Sequence, residues 1–455
     1  MSAMIPVPGR MEPMRLWATL ATGAHTAHRA MPILQAAVDS ARLGPITMAD
    51  VSTRAGVAGT TIYRYFNDMQ SLEALAHLIL LEESLARYGG WAHPDNTSDW
   101  DDDLVGSALE NWAGALAAST DDGISGIRSI AVVRGVASLA PHLTAMIERS
   151  VVATSGRLRD WQARSLVTDE IDTYVQAVFM QSLDHTGWFR RSLRSTHDGR
   201  TADPRWHALL STIAHDLRRL EPRTPLADNT WTNSVQRPPR LPDVPVELSS
   251  EIDRILALEV TDPTPTHRRV IDKALGLLID HPASDFTIGD LTQASGVPPK
   301  RLYELFPSKD IIRRIALWSF TSATISAHLG LLHHIGNAED PAVFLSDMVN
   351  RFAEPDGIRN RAHRLQGVAT LRDVPQRDAY LALIHDTVDA GSAALGEVQR
   401  DGRLNDRLAP DTFAELLAGL TVSRAVLDTL GSALPNAAWG WQLDSTFGNV
   451  LRIDM

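Results

Sequence analysis

Two short sets of side chains in this sequence carry groups that bond to phosphates and to the edges of bases. The first is Thr60, Thr61, Tyr63 and Arg64, and the second is Lys300, Arg301, Tyr303 and Glu304. Hydroxyls and cations of this kind contact phosphate oxygens. Arginine, lysine and glutamate also pair with base edges in a major groove. Each set is interleaved with apolar residues, Ile62 and Phe66 in the first and Leu302 and Phe306 in the second. That spacing predicts short helices with the apolar residues inward and the polar set outward.

These residues need elements to position them, and the chain upstream supplies the signals. In the stretch 47–66, Thr47 with Asp50 three residues later is a capping-box pattern that opens a helix. Ala49, Val51 and Ala55 give it a small apolar face. Gly56 supplies the left-handed residue that ends it, and Val57 fills the space before a second helix at about 59–65. A small helix, a glycine turn and a polar second helix form the helix-turn-helix pattern, which lays its second helix in the DNA major groove. The stretch recurs at 287–306, displaced by 240 residues without a gap. Thr47/Thr287, Asp50/Asp290, Gly56/Gly296, Val57/Val297, Tyr63/Tyr303 and Phe66/Phe306 are identical. Cap, turn and core plugs are kept, while the outward residues change: Thr60-Thr61 becomes Lys300-Arg301, and Arg64 becomes Glu304.

The segment Thr61-Ile-Tyr-Arg-Tyr-Phe66, followed by Asn67-Asp-Met-Gln-Ser-Leu72, resembles the tetracycline-repressor family of transcriptional regulators. Arg301-Leu-Tyr-Glu-Leu-Phe-Pro-Ser-Lys-Asp310 matches that pattern more closely. The resemblance implies an all-α fold of two tandem units, each a three-helix helix-turn-helix domain followed by a helical ligand-binding and dimerisation bundle. It implies a ligand-responsive regulator of transcription, most often a repressor, with double-stranded DNA and a small-molecule effector as partners. The expected DNA-facing set is Thr47, Ala58, Gly59, Thr60, Thr61, Tyr63, Arg64 and Tyr65 in the first copy. In the second it is Thr287, Pro299, Lys300, Arg301, Tyr303, Glu304 and Lys309. Tyr63 and Tyr303 would place hydroxyls on phosphates or else support helix packing. Lys300 and Arg301 are the candidates for guanine contacts. Glu304 would accept from a cytosine amine or pair with Arg301. Lys309 would meet a phosphate at a helix start, where the first copy has Met69.

Family members act as symmetric homodimers on half-sites about 34 Å apart. A covalent tandem presents two such helices from one chain, and tethering raises the effective concentration of one half near the other to about millimolar. The expectation is a single-chain pseudo-dimer on an asymmetric operator, with a homodimer of the chain as the other assembly.

The expected organisation is an N-terminal arm (1–23), a first DNA-binding unit (24–88) and a first bundle (89–220). A linker (221–247), a second DNA-binding unit (248–325) and a second bundle (326–455) follow. The linker is set by Pro222, Pro225, Pro238, Pro239, Pro242 and Pro245. The arm, with Arg10 and Arg15, is either a disordered tail or a minor-groove arm. Further echoes join the bundles, such as Gly126-Ile-Arg128 with Gly357-Ile-Arg359. In the first bundle Trp112, Trp161, Tyr174 and Phe179 line a ligand cavity or form ordinary core.

A net charge of −12 argues against a general polyanion binder, and basic character is local. Between 266 and 315 eight Lys/Arg face six Asp/Glu, and that window holds all three lysines of the chain. The absence of cysteine excludes disulfides, thiol catalysis and cysteine-based zinc sites. No Gly-rich phosphate loop, His-Glu-x-x-His pattern or nucleophile elbow occurs, so the chain is not expected to be an enzyme and no cofactor is implied. His333-His334 lacks an acidic partner at ligand spacing, and no metal is expected. With no secretory pattern and no run of about eighteen apolar residues, a cytoplasmic chain without membrane association is expected.

Overall fold

Capping and turn chemistry set the boundaries of most helices in the computed structural model. The structure describes residues 11–43, 46–88, 101–118, 123–169, 172–194, 204–218, 248–280, 286–350, 367, 374–406, 408–427 and 443. The proline-rich segment 221–247 and the echo at Gly357 lie outside them. The fold is all-α, with every element among the described residues helical.

The first half begins with α1 (Met11–Thr22), α2 (Ala27–Ala41), α3 (Met48–Ala55), α4 (Gly59–Ile62) and α5 (Met69–Tyr88). It continues with α6 (Asp102–Ala118), α7 (Gly123–Arg134), α8 (Ala140–Ala163), α9 (Thr173–Arg194) and α10 (Pro204–Arg218). The second half has α11 (Leu248–Glu259), α12 (Pro265–Asp280), α13 (Ile288–Ser295), α14 (Pro299–Leu305) and α15 (Lys309–Gly330), then a 3-10 turn (Leu331–Asn337). It ends in α16 (Pro341–Asn350), α17 (Val374–Arg400) and α18 (Pro410–Leu427).

Local rules account for the starts. Asp172 accepts from the amides of Tyr174 (2.8 Å) and Val175 (3.1 Å) and opens α9. Ser308 accepts from the Ile311 amide at 3.3 Å and opens α15, as its sequence predicts. At α5 the cap is Asp68: its carboxylate accepts from the Ser71 amide at 2.6 Å. Gly123 to Gly126 form the first turn of α7.

Residues 11–22 correct the expectation of a flexible lead-in. Met14, Trp17 and Ala18 are buried on one face of α1, packed on α2 and α5, and the Trp17 indole donates to Glu82 at 3.0 Å. Burial of these apolar groups orders a segment that is short for helix formation on its own. Arg15 is carried on this helix and is exposed.

The halves meet through α9 and α18. Among the described side chains of α9 all but Tyr174 and Asp184 are buried, with α7 and α8 on it from the first half and α18 from the second. α18 packs in turn on α17, and α17 on α15. At the crossing Arg190 of α9 and Glu415 of α18 form an ion pair with side chains only 3% and 5% exposed. The Arg190 guanidinium also lies 5.1 Å over the Trp206 ring. A Cβ at Gly419 would stand 2.4 Å from Thr186 Cγ2 and 3.1 Å from its Cα, so the backbones approach closely there. His185 Nδ1 lies 3.5 Å from Ser423 Oγ, and Arg205 reaches Asp411 at 2.6 Å.

Among the described residues one stretch, Lys309–Asn337, is long and apolar enough to cross a membrane by length and composition. Its most apolar eighteen-residue window is 83% buried inside the fold.

Two outcomes follow at the crossing. Glu415→Ala strands a buried guanidinium and lowers the unfolding free energy by about 3–5 kcal/mol in chemical denaturation. Burial also holds His185 neutral down to about 3, against an ordinary value of 6.5. The unfolded chain therefore takes up a proton below about 6.5 that the folded chain refuses, and acidification favours unfolding. Between pH 7 and pH 5 this group alone costs about 2 kcal/mol, read as the difference between the stability profiles of the native chain and His185→Gln.

Candidate nucleic-acid interface

The outward residues sit on two helix pairs with matching local geometry. α3, α4 and α5 begin at 48, 59 and 69, and α13, α14 and α15 at 288, 299 and 309, a constant displacement of 240. Thr47 accepts from the Asp50 amide at 3.1 Å, and Thr287 from the Asp290 amide at the same distance. In the second pair the Thr287 amide also donates to the Asp290 carboxylate at 2.8 Å, completing the capping box. Gly56 and Gly296 end the first helices at φ of 64° and 68°, the left-handed region that favours glycine.

Of the retained apolar pairs, Val51/Leu291, Ile62/Leu302 and Phe66/Phe306 are each at most 2% exposed, while Val297 is buried and Val57 half-buried. The retained tyrosines are the opposite. Tyr63 is 56% and Tyr303 is 53% exposed, so neither supports the helix packing from within. Thr60 and Arg64 in one pair, and Pro299, Lys300, Arg301 and Glu304 in the other, are exposed with them.

The pairs differ in length. The helix predicted for 59–65 is a single turn, Gly59–Ile62, followed by turns in which the amides of Arg64 and Tyr65 donate to the carbonyls of Thr61 and Ile62. Glycine and three β-branched residues are weak helix formers. α14 runs from Pro299 to Leu305, with proline at its start and Lys-Arg-Leu-Tyr-Glu-Leu behind it.

Several expected contact residues are already engaged. Arg301 Nη1 donates to Glu304 Oε2 at 2.9 Å, which is the pairing alternative for Glu304. Lys309 does not simply project at a helix start: its ammonium donates to the Phe286 carbonyl at 3.2 Å and lies 5.8 Å from that ring. Thr47 and Thr287 use their hydroxyls in caps, each also donating to its aspartate. Tyr65 and Thr61 are half-buried, and Tyr65 packs on the core. Gly59 lies against Met48, and Ala58 is exposed.

Of the residues named for a ligand cavity, Trp112, Trp161 and Phe179 are buried in the hydrophobic core on α6, α8 and α9, and Tyr174 is half-buried. The Trp112 indole donates to Asp184 at 3.4 Å. Burial raises the Tyr174 phenol above its ordinary range. His333 and His334 are exposed on the 3-10 turn, and among the described residues no group of three His, Asp or Glu could hold a metal.

The sequence reading missed a buried polar cluster between α5 and α7. His77 Nδ1 lies 2.8 Å from Ser129 Oγ, and Arg128 donates to Glu73 at 2.7 Å. Burial holds His77 below its ordinary range. The available signal was polar residues at positions that helical periodicity assigns to the interior.

Compared with known proteins, the sequence matches no family model and no curated protein.

Gly296→Ala introduces a Cβ into a left-handed turn. It lowers the unfolding free energy by about 1–2 kcal/mol, read by denaturant titration, and Gly56→Ala costs a similar amount.

Proposed function

We propose that this chain is a sequence-specific DNA-binding regulator of transcription built on the tetracycline-repressor plan. It has two DNA-binding units in tandem and acts as a single-chain pseudo-dimer. The observation that carries the reading is the recurrence, at a displacement of 240 residues, of a capped helix, a left-handed glycine and a second helix with an exposed tyrosine. In both halves the inward positions match and, the tyrosines apart, the outward positions of the second helices differ. That pattern suits one scaffold reading two sequences. The buried crossing of α9 and α18 supports one chain supplying both units, since a face used within the chain is not free for a second copy.

In this reading Lys300 and Arg301 contact bases, with Arg301 exchanging Glu304 for a guanine edge. Tyr63 and Tyr303 contact phosphates. An effector acts by changing the separation of the two units through the bundle. The chain has no catalytic role and works in the cytoplasm. A second reading, a protein-interaction module with a degenerate first unit, is favoured by the single-turn length of α4.

Selection of bound sequences from random duplexes, with solution mass to count chains per duplex, tests the proposal. An asymmetric motif bound by one chain is the expected result. Recovery of perfect palindromes only, or of no enriched motif, overturns it. On the recovered duplex, Lys300→Ala costs about 1–3 kcal/mol and relaxes preference at one base pair.

A further inference from the structure

The internal repeat lets one half be read against the other for identities that folding does not require. Cap, glycine and plug positions are explained above. Besides the tyrosines, one exposed identity remains: Arg29 in α2 and Arg269 in α12, displaced by the same 240 residues. Among the described residues neither guanidinium has a hydrogen-bond or ion-pair partner. Neighbouring arginines are tied down. Arg268 bonds to Asp272 at 3.2 Å and Ser249 at 2.6 Å and also to Asp253, and Arg42 pairs with Glu83 at 2.5 Å. Arg29 lies in the first turn of its helix, where the positive end of the dipole disfavours a cation. Neither packing nor helix stability accounts for the pair.

The helices that carry them start beside the outward helices, with both arginines on the exposed face, away from the side that packs inward. His267, two residues before Arg269, packs its ring edge-on at 5.2 Å against Phe306, which closes α14. The start of α12 therefore lies beside the end of the helix that exposes Tyr303. In the first half the matching positions, Ala27 and Phe66, are likewise buried.

We propose that Arg29 and Arg269 are matched phosphate anchors, one per half, that grip the duplex backbone beside the outward helices. The proposal rests on the DNA-binding reading. The grip is unequal: Lys273, one turn beyond Arg269, is exposed, whereas its counterpart Ile33 is buried.

The test is the salt dependence of binding to the selected duplex, followed by fluorescence anisotropy. Neutralising one phosphate contact changes the slope of log K against log salt by about 0.9. Arg29→Ala and Arg269→Ala should each reduce the slope by roughly one and the double variant by about two. The ranking of mutated duplexes should not change. Arg29→Lys and Arg269→Lys should keep the slope, and thermal midpoints should stay at the native value because both side chains are exposed. Native slopes in both alanine variants overturn the anchors while leaving the DNA-binding reading intact. An effect of Arg269→Ala alone overturns the matched pair. A native chain with no salt-dependent binding to any duplex overturns the DNA-binding reading, and the anchors fall with it.

Discussion

Arg190 and Glu415 meet where α9 crosses α18, in a contact so close that residue 419 has no space for a side chain. A buried ion pair adds little net stability compared with well-packed apolar residues, but losing one partner is severe. Its value here is in fixing which helices pair and at what height. The surroundings are polar for a core: Ser150 donates to Gln181 at 3.1 Å, and His185 is wholly buried near Ser423. Such groups accept few alternative packings, because a shift of one turn would leave them unpartnered.

From that crossing, packed helices lead to the helices that follow both outward-facing pairs. α9 meets α7, and α7 meets α5, through the His77–Ser129 and Arg128–Glu73 contacts. On the other side α18 meets α17, and α17 meets α15, where Ser326 and Thr387 approach to 3.3 Å. α5 and α15 are the helices that directly follow the two outward-facing pairs. The relative placement of those pairs is therefore set by a series of side-chain contacts centred on one crossing.

Much of this was legible from local rules. Thr47, Asp50 and Gly56 announce a helix and its end because caps and left-handed turns depend on residues adjacent in sequence. The repeat then doubles the evidence at Thr287, Asp290 and Gly296. Features set by distant contacts were not legible. α1 is ordered by contacts with α2 and α5, which lie apart from it in sequence. Lys309 was read by its place at a helix start, but the Phe286 carbonyl lies near in space and not in sequence. Thr60 to Ile62 carry the outward pattern of a longer helix, and weak propensity stopped it after one turn. The polar residues of α9 gave no sign that they would be enclosed, since their partners lie on other helices.

A joint within one polypeptide has a hereditary consequence. In an assembly of two identical subunits every substitution appears twice, so a change that suits one side must be tolerated on the other. Here the arginine of the crossing belongs to one half and the glutamate to the other, and each is encoded once. The two outward surfaces are likewise each encoded once, and they carry different side chains, Thr60-Thr61 in one and Lys300-Arg301 in the other.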